Sequence, residues 1–144
     1  LRRRLHRRHH GDRLMAHAVV EWTSNLEGEA DIHGLLELIA TAMRNSGGVF
    51  PWGGIRVRAI RLDDYVIADG KADDAFVNVT VKMGAGRSAE FKKAFFTDLF
   101  EQIKAHFAEL YARRYLALSL YVEEADEAGS FKHNNIHKRF KKDS

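Results

Sequence analysis

Residues 75–88 read Ala75-Phe76-Val77-Asn78-Val79-Thr80-Val81-Lys82-Met83-Gly84-Ala85-Gly86-Arg87-Ser88, and they contain a change of period. Ala75, Val77, Val79, Val81 and Met83 face one way, and Asn78, Thr80 and Lys82 the other, the alternation of a strand with one buried face. Gly84-Ala85-Gly86 breaks the alternation, and Ser88 suits the N-cap of a helix. From Ala89 to Tyr111, Phe96, Leu99, Ile103, Phe107 and Leu110 recur at helical spacing and make one apolar face. A strand over Tyr115–Glu124 follows, with Leu116, Leu118, Leu120 and Val122 on one side. This is a β-α-β unit, which sets a helix over two parallel strands by a right-handed crossover.

The same order stands upstream. A strand runs from Ala16 to Thr23, with the β-branched pair Val19 and Val20, and Ser24, Asn25 and Gly28 mark a turn. A helix over Ala30–Asn45 has Ile32, Leu35, Leu36, Ile39 and Met43 on one face, and Gly47 and Gly48 stop it. Pro51, Gly53 and Gly54 extend the loop into a strand over Ile55–Leu62. Ile55, Val57 and Ala59 share one side of that strand and Arg56 and Arg58 the other, but Ile60 and Leu62 continue on the arginine side. A bulge or an end of burial near Ala59 would account for the shift. A brief pairing at Tyr65–Ala68 is expected before the Asp69-Gly70 turn, and the tail from Phe131 to Ser144 is expected to form a short final helix. Two such units give an α+β domain, a four-stranded sheet with two long helices on one face. The other sheet face is apolar enough to expect an oligomer partner over it.

At 144 residues the chain suits one domain. It holds no cysteine, which excludes disulfides and thiolate metal sites and fits a reducing cytoplasm. Neither a membrane span nor a secretory signal is legible. Its net charge of +3 is unevenly spread. Residues 1–14, LRRRLHRRHHGDRL, hold six of the 23 basic residues and one of the 20 acidic ones; the remainder carries 17 and 19, a net charge of −2. Residues 1–14 are therefore expected to be a basic leader, an artificial or early-start extension ahead of Met15 or else a native arm, with the folded domain over 15–144. Nucleic acid is not an expected partner, because any basic footprint would lie on that arm alone.

Two features point to carboxylate chemistry. Gly84-Ala85-Gly86-Arg87-Ser88 runs from a strand end into a helix start, where glycine lets backbone approach a ligand and unpaired N–H groups attract an anion. Arg87 adds a guanidinium fork. The plainer alternative is an ordinary turn with a solvated arginine. The spacing fits neither G-x-G-x-x-G nor a P-loop, so nucleotide binding is not expected. Arg56 and Arg58, two residues apart on one strand side, are the second feature; at least one is expected to be simply solvated, and Arg56 with Arg87 would suit a substrate with two or more carboxylates. His17, His33, His106, His133 and His137 make no convincing metal site. His133 and His137 stand at i, i+4 and would share a face if the tail were an α-helix, most simply as a surface pair.

Met15-Ala16-His17, Gly54-Ile55-Arg56-Val57-Arg58, Ala68-Asp69-Gly70, Ala75-Phe76-Val77, Lys82-Met83-Gly84-Ala85-Gly86-Arg87-Ser88 and Phe131-Lys132-His133-Asn134-Asn135-Ile136-His137 resemble the 5-carboxymethyl-2-hydroxymuconate isomerases of the tautomerase superfamily, from residue 15 to about 140. The resemblance implies a β-α-β repeat fold, a homotrimer and a cytoplasmic, cofactor-free and metal-free 1,3-allylic proton shift on an unsaturated hydroxy or keto polycarboxylic acid from aromatic breakdown. It also implies an amino-terminal proline as base, at the position of Ala16, with Arg56 and Arg87 holding and stabilising the substrate. Arg58, Gly84 and Gly86 would be secondary binding residues. Here the chain departs from the family: alanine stands where the proline should be, and Pro51 lies in a loop. A freed Ala16 amine would be a primary-amine base; an Ala16 nitrogen still joined to Met15 is an amide. A non-catalytic trimer that binds an acidic metabolite is therefore the alternative, and an interaction protein with a basic arm comes third.

Overall fold

The computed structural model describes residues 15–143; the expectation for residues 1–14 lies outside them. Strand β1, Ala16–Thr23, places Ala16, Ala18, Val20 and Trp22 on its buried side. Helix α1, Ile32–Arg44, begins two residues later than periodicity suggests, because the Asp31 carboxylate accepts from the Gly34 N–H and caps it there. Strand β2, Ile55–Leu62, lies parallel to β1, and strand β3, Ala75–Gly84, antiparallel to it. Helix α2, Ala89–His106, is capped by Ser88, whose hydroxyl accepts from the Phe91 N–H at 3.1 Å. A six-residue helix α3, Ala108–Arg113, and strand β4, Leu116–Ala125, parallel to β3, complete the second unit.

The sheet order is β2-β1-β3-β4. Both parallel pairs expected from the two β-α-β units are present, joined side by side through the antiparallel β1–β3 pair. The core lies between one sheet face and the helices: Ala18, Val20, Val77, Val79 and Val81 pack with Leu35, Ile39 and Met43 of α1 and Phe96, Leu99 and Ile103 of α2. The opposite sheet face is open in the single chain.

Four local expectations are corrected or refined. The long second helix is interrupted at Phe107, which ends α2 and begins α3 while staying buried. No bulge interrupts β2: its register with β1 is continuous from Ala16–Ile55 to Thr23–Leu62. Ile60 simply points to the open face, where it is 47% exposed. Tyr65–Ala68 forms no strand; the Gly70 N–H bonds to the Ile67 carbonyl, and Asp69 accepts from the Lys71 N–H. The tail is irregular through Asn135 and then forms the short final helix expected there, as a 3₁₀ helix over Ile136–Asp143, so His133 and His137 do not share an α-helical face.

The tail is nevertheless anchored. Asn134 donates to the Gly53 carbonyl at 2.8 Å, and Trp52 meets Phe140 edge-on at 5.6 Å. Gly53 permits this approach, since a Cβ there would fall 2.7 Å from the His137 Cα.

Candidate functional site

Strand alternation sends Ala16 inward and His17 outward. Ala16 is fully buried and stands opposite both Ile55 and Met83, so the starts of β1 and β2 and the end of β3 meet at one end of the sheet. Met15 precedes Ala16, and in the chain as it stands the Ala16 nitrogen is a peptide nitrogen without basicity.

His17 is opposite Arg56 on β2 and Lys82 on β3. Its Nδ1 lies 3.0 Å from Nη1 of Arg58. A guanidinium has only donors, so Nδ1 accepts and the neutral ring carries its proton on Nε2. The His17 pKa is held below the ordinary 6.5, first by burial and then by the charges of Arg58, Arg56, Lys132 and Lys82.

His17, Arg58, Lys82 and Lys132, though not Arg56, face an open groove of about 780 Å³ on the uncovered side of the sheet. His17, Arg58, Lys82 and Lys132 supply a cationic part, and Glu123, Glu124 and Asp126 supply acidic groups from β4 and the turn beyond it. Two of the three carboxylates are engaged: Glu124 pairs with Lys92, and Asp126 accepts from the Ala128 N–H. Such a groove can seat a carboxylate beside Arg58, with a polar or cationic group tolerated toward Glu123.

The glycine turn reaches the same end of the sheet with a different local role. Gly84 is buried and its carbonyl accepts from Arg87 Nη1 at 2.8 Å; Arg87 Nη2 donates to the Val49 carbonyl at 3.1 Å. The Arg87 guanidinium lies 4.8 Å from the centre of the buried Phe50 ring. Within this chain Arg87 braces the turn against the loop before β2. Gly86 has φ of 109°, a conformation that favours glycine.

The structure thus brings Ala16, Arg56, Arg58 and the Gly84–Gly86 turn to one sheet end, with Arg58 lining the groove and Arg87 directed to the Val49–Phe50 loop. Sequence reasoning set His17 aside with the other histidines and did not single out Lys82 or Lys132. A signal for His17 existed: it alternates onto the side of β1 that faces Arg56 and Arg58. Lys132 comes from the tail, and nothing local places it here. Among the described residues no group of three His, Cys, Asp or Glu gathers as a metal site. No helix among them is long and apolar enough to cross a membrane.

The family pattern described as 5-carboxymethyl-2-hydroxymuconate isomerase matches residues 16–140. The chain belongs to that family. It is 43% identical over 127 residues to the 5-carboxymethyl-2-hydroxymuconate Delta-isomerase of Escherichia coli, a match spanning 88% of this chain and 100% of that protein. The crystal structure of a 5-carboxymethyl-2-hydroxymuconate isomerase from Deinococcus radiodurans R1 is similar at 43% identity and a TM-score of 0.84, over 89% of this chain and 96% of that one. A fused 4-OT wild-type symmetric trimer, 24% identical, shares the fold at a TM-score of 0.53, over 76% of this chain and 85% of that one. The tautomerase-like α+β fold that the resemblance implied is the fold of this chain, and an isomerase-like function follows from the family.

Proposed function

We propose that this member of the 5-carboxymethyl-2-hydroxymuconate isomerase family moves a proton by a 1,3-allylic shift on an unsaturated hydroxy or keto polycarboxylic acid. It would do so as a cytoplasmic homotrimer in aromatic catabolism, with neither metal nor organic cofactor. The observation that carries the reading is the cationic part of the groove, where Arg58 touches His17 beside Lys82 and Lys132, with the charge of Arg56 acting on the same ring. Cations there hold a substrate carboxylate and stabilise the negative charge that spreads as a carbon-bound proton leaves. The symmetric-trimer state of the 4-OT relative and the open sheet face support the assembly. In a trimer a neighbouring copy would meet that face.

The base is the open element of the mechanism. A chain-terminal amine has a pKa of roughly 7.7–8, which suits general-base work near neutrality, and nearby arginines would lower it. Ala16 can supply such an amine only when its bond to Met15 is cut. An intact Met15–Ala16 bond would leave the second reading, a trimer that binds an acidic metabolite without turning it over.

Turnover of 5-carboxymethyl-2-hydroxymuconate, followed by ultraviolet absorbance, separates the two. Three proteins are compared: the full chain, a chain beginning at Ala16, and that shorter chain with Ala16→Pro. The catalytic reading expects rates to rise in that order. Binding without turnover in all three establishes the second reading, and absence of binding overturns both.

A further inference from the structure

We propose that His17 is a catalytic residue of this groove, donating a hydrogen bond from Nε2 to the oxygen on the carbon next to a substrate carboxylate held by Arg58. The groove would then prefer 2-oxo and 2-hydroxy acids to plain carboxylic acids. This rests on the reading of the groove as a carboxylate site.

Arg58 Nη1 lies 3.0 Å from His17 Nδ1. Arginine cannot accept, so the contact selects the tautomer with the proton on Nε2. A doubly protonated ring would turn an N–H toward another N–H and lose the contact. The surroundings oppose that second proton: Arg56 and Arg58 on β2, Lys82 on β3 and Lys132 of the tail all act on the ring, against Glu123 of β4 in the same groove. The result is a neutral donor of fixed orientation.

Position supplies the specificity. Arg58 uses one N–H on His17 and retains others for a carboxylate. Because the two side chains touch and both line the groove, a carboxylate on Arg58 brings its neighbouring carbon beside the imidazole. An oxygen on that carbon can accept from Nε2–H; a methylene there cannot. No proton leaves Nε2 in this role. The hydrogen bond strengthens as the oxygen gains enolate charge, which is where it lowers the barrier. It therefore operates whichever group serves as base, and its effect is distinct from that of the Ala16 nitrogen.

The test uses the full chain with 2-oxopentanoate and pentanoate as probes, with affinity measured by calorimetry and ring tautomer by nitrogen-15 NMR. Expected are an unprotonated Nδ1 and a protonated Nε2, and a preference of roughly five- to tenfold for the 2-oxo acid, the worth of one hydrogen bond. His17→Phe should abolish the preference, and His17→Gln, which can both accept from Arg58 and donate, should restore part of it. A proton on Nδ1, or a preference that survives His17→Phe, overturns the inference and leaves the carboxylate groove standing. Arg58→Gln should weaken both acids. If neither acid binds the unaltered chain, or if Arg58→Gln leaves both affinities unchanged, the carboxylate reading fails and the inference with it.

Discussion

A single imidazole shows how residue placement sets chemistry here. Alternation alone sends His17 to the side of β1 away from the helices, and pairing then surrounds it with Arg56, Arg58 and Lys82. Because its folded pKa lies below 6.5, the unfolded chain takes up a proton that the fold resists. Stability is therefore unaffected by this group above about pH 6.5 and falls as pH drops from there through the lowered folded value. Urea unfolding across that window should show a shallower slope for His17→Gln than for the unaltered chain; equal slopes would mean that the surrounding charges do not act on the ring. Gly53 makes a second prediction at this scale. Gly53→Ala would force its Cβ against the backbone of His137, where no rotamer change relieves the clash. A loss of roughly 1–3 kcal/mol is expected in urea unfolding, as for other overpacked sites. The sequence showed Gly53 as a loop glycine, but its close neighbour is 84 residues away in the chain, so the reason for glycine was not legible.

At the scale of elements, local signals worked where a period changes and failed where it does not. Gly84-Ala85-Gly86 and Ser88 mark the entry to α2 because glycine interrupts the strand and the serine hydroxyl satisfies a first-turn N–H. Ser88→Ala should accordingly destabilise the fold by about 1 kcal/mol, measured by urea unfolding; no change would mean that water or a neighbour replaces the cap without loss. The break at Phe107 carried no such signal. Phe96, Leu99, Ile103, Phe107 and Leu110 all point inward on both sides of it, so apolar spacing runs on while the backbone departs from the helix. In β2 the shift of apolar residues after Ala59 was ambiguous by itself. Continuous pairing resolves it: Ile60 belongs to the open face with Arg56 and Arg58, and the strand needs no extra residue.

The whole molecule raises the question of what meets the open sheet face. Ile60 and Tyr121 are 47% and 63% exposed there, and the polar groups among them include Asn78, which bonds to Ser119. A single chain gains nothing from such apolar exposure, whereas a second copy would remove it from water. On the trimer reading, sedimentation equilibrium should give three chains per particle, and Ile60→Lys should shift the population to single chains by placing a charge in a dry contact. A monomer before substitution would remove the support for assembly. Taken by itself, the sequence determined the β-α-β repeat, the strand bounds of β1 and β2, the inward residues of both long helices and the family, because each rests on a period or motif carried by neighbouring residues. Only the tertiary structure decided that Arg58 rather than Arg87 meets His17 in the groove, that Arg87 reaches back to Val49, and that the tail returns to Gly53. Those contacts join residues separated by tens of positions, and their partners are chosen by sheet register and packing, which no local pattern records.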